Sequence, residues 1–184
     1  MQSEKINAVD NCGVALVRNS GVDENASATG SYTVTCVGAD GQLKWEDTFK
    51  NLVVTVGKND LLDKYFTGSS YTATWYLGLV DGASSPTYAA GDTMASHAGW
   101  TENTSYAAST RPAPTWNAAS SGSKATNATS FSINATATIA GAFMTTDNTK
   151  GGTSGILYSA GNFTGGNRSV ASGDTLNVTY TASV

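Results

Sequence analysis

Three stretches of this chain alternate apolar and small polar side chains with a period of two, and no other feature limits the fold so tightly. In residues 71–79, Tyr71, Ala73, Trp75, Leu77 and Leu79 fall on one face and Thr72, Thr74, Tyr76 and Gly78 on the other. In residues 131–139, Phe131, Ile133, Ala135, Ala137 and Ile139 alternate with Ser132, Asn134, Thr136 and Thr138. At the C-terminus Leu176, Val178, Tyr180, Ala182 and Val184 alternate with Asn177, Thr179, Thr181 and Ser183. Successive side chains of a strand point to opposite faces, so each run makes one apolar row as a strand and scatters it as a helix. The second run predicts one long antiparallel strand with a wet face, and the first a strand covered at least partly on both faces.

Shorter signals fill in the rest. Tyr32, Val34 and Cys36 alternate with threonines, Ala39-Asp40-Gly41 makes a turn, and Leu43 and Trp45 begin a return strand, which together predict a hairpin. Residues 52–56 read as a third apolar strand. Asn59 then caps a short helix over residues 60–66, with Leu61, Leu62, Tyr65 and Phe66 roughly on one side and Gly68 as its stop. Residues 81–114 form a long segment with Pro86, Pro112 and Pro114, in which Asp92 caps a turn of helix to His97. Gly141 permits a kink, residues 150–155 a glycine-rich turn, residues 156–159 a strand, and Gly173-Asp174 the turn into the last strand. The expected class is all-β, an antiparallel β-sandwich or jelly roll with one short helix; a β-barrel is the competing architecture. Residues 1–30 read as an N-terminal arm, or an edge strand plus linker, ahead of one β-rich domain over residues 31–184.

Charge narrows the function. Only 13% of residues are charged, about half the usual share. The 10 basic and 14 acidic residues give a net charge of -4 with no Lys/Arg cluster, so no direct nucleic-acid partner is expected. No apolar run approaches a membrane span, and residues 1–11 lack the apolar core of a signal peptide, so manufacture in a cytosol is expected. Cys12 and Cys36 match neither a metal nor a redox spacing and read as free thiols.

Catalytic signatures are sparse. His97 is the one histidine, so a triad would have to gather Asp92 or Glu102 and a serine around it; a loop histidine bonded to nearby backbone is the simpler reading. Residues 152–155, Gly-Thr-Ser-Gly, lack the spacing of a nucleophile elbow and read as a hairpin turn. Asp92 with Glu102, or Glu46 with Asp47, would form a glycosidase pair only by a coincidence of folding. There is no phosphate-cradling loop, and loops near Asp81 and Asp174 are the places where carbonyls could hold a cation. We therefore expect no enzyme, no cofactor and no metal. Trp100, Tyr106 and Trp116 are the residues from which a ligand or interface platform would be built, with core or subunit contact as the weightier alternative. Val14, Leu16 and Val17 are the apolar residues by which residues 1–30 would add an edge strand to a neighbouring subunit, or form the first strand of their own sheet.

Several segments resemble those of small bacteriophage structural proteins. They are Asn51-Leu52-Val53-Val54 leading to Leu61-Leu62-Asp63-Lys64-Tyr65-Phe66, then Tyr76-Leu77-Gly78-Leu79-Val80-Asp81, Ser96-His97-Ala98-Gly99-Trp100-Thr101-Glu102 and Gly173-Asp174-Thr175-Leu176-Asn177-Val178-Thr179-Tyr180. The resemblance spans roughly residues 42–184 and leaves residues 1–30 outside. It implies a virion component made in the host cytoplasm, of the capsid decoration or cement type. Its partners would be the major capsid protein or other virion proteins, and the chain would be a homo-oligomer. A receptor- or carbohydrate-binding module at a fibre tip, or a tail or neck protein, is the alternative.

Overall fold

The computed structural model describes residues 27–67 and 74–184. Val14, Leu16, Val17, Cys12, Tyr71 and Ala73 lie outside the described residues. In chain order the elements are β1 (Thr29–Val37), β2 (Leu43–Lys50), β3 (Leu52–Val53), α1 (Thr55–Thr67), β4 (Tyr76–Asp81), β5 (Glu102–Asn103), β6 (Ser123–Ala125), β7 (Thr129–Ser132), β8 (Ala137–Thr145), β9 (Leu157–Asn162), β10 (Arg168–Val170) and β11 (Thr175–Ser183).

All strand pairs are antiparallel and form two sheets. The first runs β2-β1-β11, with β6 and β7 sharing the far edge of β11; the second runs β3-β9-β8-β4-β5, with β10 also on β8. Neither closes on itself, so the architecture is a β-sandwich and not a barrel. In the first sheet the alternation works as the sequence implies. Tyr32, Val34 and Cys36 of β1 stand opposite Tyr180, Val178 and Leu176 of β11, and all six are buried. The intervening threonines face outward, where Thr33 and Thr48 hydrogen-bond across β1 and β2 at 2.9 Å. The β1–β2 hairpin closes at Gly41, whose φ of 78° suits glycine, with Asp40 accepting the Gln42 amide.

The second sheet is buried on both faces. Leu77, Leu79, Ile139, Ala142 and Met144 meet the first sheet in the central core. Val80, Ala140, Phe143, Leu157 and Ala160 face away and form a second apolar layer, covered by Met94, Trp100 and Tyr88 of the long 82–101 segment and by Val56 of α1. That segment is a lid on the sheet, which explains its length.

Four local expectations change. Residues 131–139 are two strands in different sheets: β7 pairs with β11, β8 with β4, and the chain crosses between them after Ile133, whose amide and carbonyl bond to Asp174 and Gly173. Alternation persists around the corner because both strands turn apolar residues into the same core. The strand read over residues 52–56 ends at Val53, and the helix begins at Thr55, so Asn59 lies inside it. Gly57 lets α1 approach the β9 backbone, since a Cβ there would stand 2.7 Å from the Tyr158 carbonyl oxygen. Residues 93–96 form a tight turn closed by a Thr93–Ser96 bridge, not a turn of helix. Finally, Gly141 sits in mid-strand beside a β-bulge: Val80 pairs with Gly141 and Asp81 with Ile139, which leaves Ala140 extra. The bulge resets the phase of β8, so Ile139, Ala142 and Met144 all face the central core although strict alternation would turn the last two outward.

Candidate functional site

His97, Asp92 and Glu102 are the residues from which catalytic chemistry would be built, and each is committed to local structure. The His97 Nδ1 lies 2.9 Å from the Trp100 carbonyl, and its ring stacks on the Trp100 indole at 4.0 Å between centroids. The Asp92 carboxylate accepts from the Ala89 amide at 3.1 Å and from Trp100 Nε1 at 3.2 Å, which ties the 89–100 loop into one unit. His97 is thus a loop histidine bonded to nearby backbone.

Glu102 belongs to a different cluster. Paired through β5 to Val80 of β4, it faces Arg111, which is wholly buried. Arg111 donates Nε to Oε1 at 3.1 Å and Nη2 to Oε2 at 2.7 Å, the forked geometry that suits a guanidinium to a carboxylate. Its remaining donors reach the Asp147 and Gly152 carbonyls, and its plane lies 5.2 Å from the Phe143 ring centroid. Glu102 also accepts from the Tyr106 hydroxyl and the Gly151 amide. A depression of about 280 Å³ lies over His97, Trp100, Glu102 and Arg111. Its charged groups are already saturated by protein partners, which makes the cluster a staple between residues 102–111 and the β8–β9 connection. Arg111 was not singled out by sequence reasoning; a lone arginine in a loop carries no local sign of burial.

The proposed aromatic platform is corrected by burial. Trp100 is 2% exposed and packs on Phe143, and Tyr106 is 0% exposed with its ring edge-on to Phe131. Burial, reinforced by the neighbouring Glu102 charge, pushes the Tyr106 phenol well above its ordinary value. Trp116 is half-buried against Tyr180. The three side chains therefore present no common stacking face.

The remaining polar candidates are likewise occupied. Asp47 and Glu46 are consecutive strand residues pointing to opposite faces, so they do not confront each other across a cleft. Buried Asp47 binds the Thr164 amide and hydroxyl, the Gly165 amide and Arg168. Burial works to raise its pKa, but these donors outweigh it and hold it below the usual value. Asp174 lies lower than usual chiefly because Lys44 donates to it at 2.7 Å, with the Ala171 amide adding to the effect. Asp81 accepts from Ala83 and Asn103. Among the described residues no group of three His, Cys, Asp or Glu side chains is placed to hold a metal ion. Burial, with Asp174 nearby, pushes the Cys36 thiol up to about 11.

The described surface also carries a group of exposed apolar side chains. Helix α1 is inverted: its more covered residues are Val56, Gly57, Asp60 and Lys64, whereas Leu61, Leu62, Tyr65 and Phe66 face out. Tyr65 and Phe66 are 80% and 75% exposed, their rings edge-to-face at 5.0 Å, and Val184 at the chain end is 73% exposed. The sequence placed these four helix residues on one side, but only the tertiary structure shows that this side is turned away from the core. No helix among the described residues is long and apolar enough to cross a membrane. A scan of protein-family models finds none that matches the chain, and a search of curated proteins finds no match.

Proposed function

We propose that this chain is a non-enzymatic structural protein of a bacteriophage virion, a capsid decoration or cement protein that binds the major capsid protein shell through an apolar surface centred on α1. The observation that carries this reading is the outward-facing Leu61, Leu62, Tyr65 and Phe66. Exposed aromatic side chains are what a protein interface uses as anchors, and with 13% of the whole chain charged, few ionised groups outside the helix need to lose water when surfaces meet. The same helix falls within the segments that resemble phage structural proteins; His97 Nδ1 and Asp92 Oδ2 are held by the local loop and both oxygens of Glu102 are bonded within the Arg111 cluster, which favours a structural role for all three. Contact repeated over a lattice would sum many small stabilisations, with copies of the chain arranged as an oligomer on the shell. A sugar-binding module has less support, since Trp100 and Tyr106 are core residues.

The test is co-sedimentation of the purified protein with purified phage capsids that lack it, followed by heating of the particles. Saturable binding and a higher disruption temperature are expected. Failure to bind shells, or location of the protein only in tails of purified virions, would overturn the decoration reading.

A further inference from the structure

Two shallow depressions of about 250 and 230 Å³ meet at Leu61 and Val184, where β1 begins, β11 ends and the side of α1 leaves the end of the sandwich incompletely covered. Their walls are largely apolar: Ala28, Leu61, Leu62, Ala182 and Val184, with Lys58 and Lys124 at the rim. Ala28 and Ala182 pack on the central core, so the groove is a continuation of that core to the surface. The chain reaches the first of these depressions through Ser27 and Ala28, which line it.

We propose that this groove is the seat of the chain's own Val14–Val17 segment, bound within the same molecule. Three observations choose this occupant. Val14-Ala15-Leu16-Val17 is the longest apolar run in residues 1–26. Ten residue steps separate Val17 from Ser27, a tether that spans at most about 33–36 Å when extended, enough to fold back along the groove. Asp23 and Glu24 lie just before Ser27, close in sequence to a rim that carries Lys58. A short tether gives its ligand a high effective concentration, so the attached segment outcompetes the same segment of a second copy. Seating it would cover Val184 and the side of Leu61 that lines the depressions, while Tyr65 and Phe66, further along α1, stay available. The inference is independent of the virion reading, because it concerns the isolated protein.

The experiment uses the full chain with a nitroxide label on Cys12, which lies two positions before Val14; buried Cys36 is protected from the reagent. In a ¹⁵N-labelled sample, strong paramagnetic broadening is expected at the amides of Leu61, Leu62, Ala182 and Val184, unchanged on tenfold dilution. Leu16→Asp should abolish the broadening while the spectrum stays dispersed, and Leu61→Ser, made on the groove side, should weaken it independently. Unbroadened groove amides in the labelled parent would overturn the proposal. So would broadening that fades on dilution and appears on an unlabelled ¹⁵N copy mixed with labelled ¹⁴N protein, since the occupant would then be a second molecule's segment. Persistence of the effect in both variants would overturn it too. Shell binding is tested through Tyr65 and Phe66, which line neither depression, and the broadening is read on the isolated protein, so the two readings fail separately.

Discussion

Around Arg111 a charged side chain is wholly buried and its guanidinium nitrogens are bonded to Glu102, Asp147 and Gly152; along α1 apolar side chains stand in water while the helix turns Asp60 and Lys64 toward the fold. The first region contains the residue types usually associated with chemistry, yet its satisfied hydrogen bonds make it architecture. The second contains residue types usually associated with a core, yet they are exposed, which is why the proposed contact is placed there. Function is read here from which groups lack partners, more than from which groups are reactive.

The sharpest way to break that contrast is to remove one half of the buried pair. Glu102→Ala takes the forked carboxylate from buried Arg111 and leaves it the partly exposed Asp147 carboxylate at 3.8 Å, and we expect a loss of up to about 3–5 kcal/mol in urea or thermal unfolding. A loss below about 1 kcal/mol would mean that the cluster is not the staple described. A smaller effect is expected at the β8 bulge. A Cβ on Gly141 would stand 1.8 Å from the Gly161 carbonyl oxygen, so Gly141→Ala must shift backbone and should cost about 1–3 kcal/mol or somewhat more.

Acid tests the buried carboxylates. Asp47 and Asp174 both titrate below their ordinary value of 3.8 in the folded chain. Their contribution is therefore fully present above that value and is lost as pH falls through it toward the folded-state pKa. The melting temperature should fall more steeply below about pH 4 in the parent than in an Asp47→Asn, Asp174→Asn double variant, which starts lower but has less to lose. Equal acid slopes would show that these two groups do not carry the dependence. The smallest stability effect is expected on α1: Tyr65→Ser with Phe66→Ser should leave unfolding within about 0.5 kcal/mol of the parent, as for exposed residues outside the core.

Much of the first sheet was legible in the sequence because β1, β7 and β11 each keep one face wet, which is the condition under which period two is visible. The second sheet was harder. Covered on both faces, β8 shows no polar alternation after Ile139, and its bulge at Ala140 shifts the phase in a way that only the partner strand β4 reveals. The helix start was missed because Thr55, Val56 and Gly57 resemble a continuing strand; what makes them helical is the close packing that Gly57 allows against Tyr158. For Trp100 and Tyr106 core contact was the weightier reading, but a platform stayed open because their loop has no periodicity and their burial depends on Phe143 and Phe131, far away in sequence. The inverted helix was half legible: the apolar side was visible, its direction was not.

The functional contact is proposed to lie on the exposed side of α1 and not in the His97–Arg111 region. Its most direct test is a binding titration of the Tyr65→Ser, Phe66→Ser protein on purified capsids lacking the chain, with melting curves recorded on the same samples. An unchanged melt and loss of shell binding are expected. An unchanged melt with parental occupancy of the shell would contradict this placement.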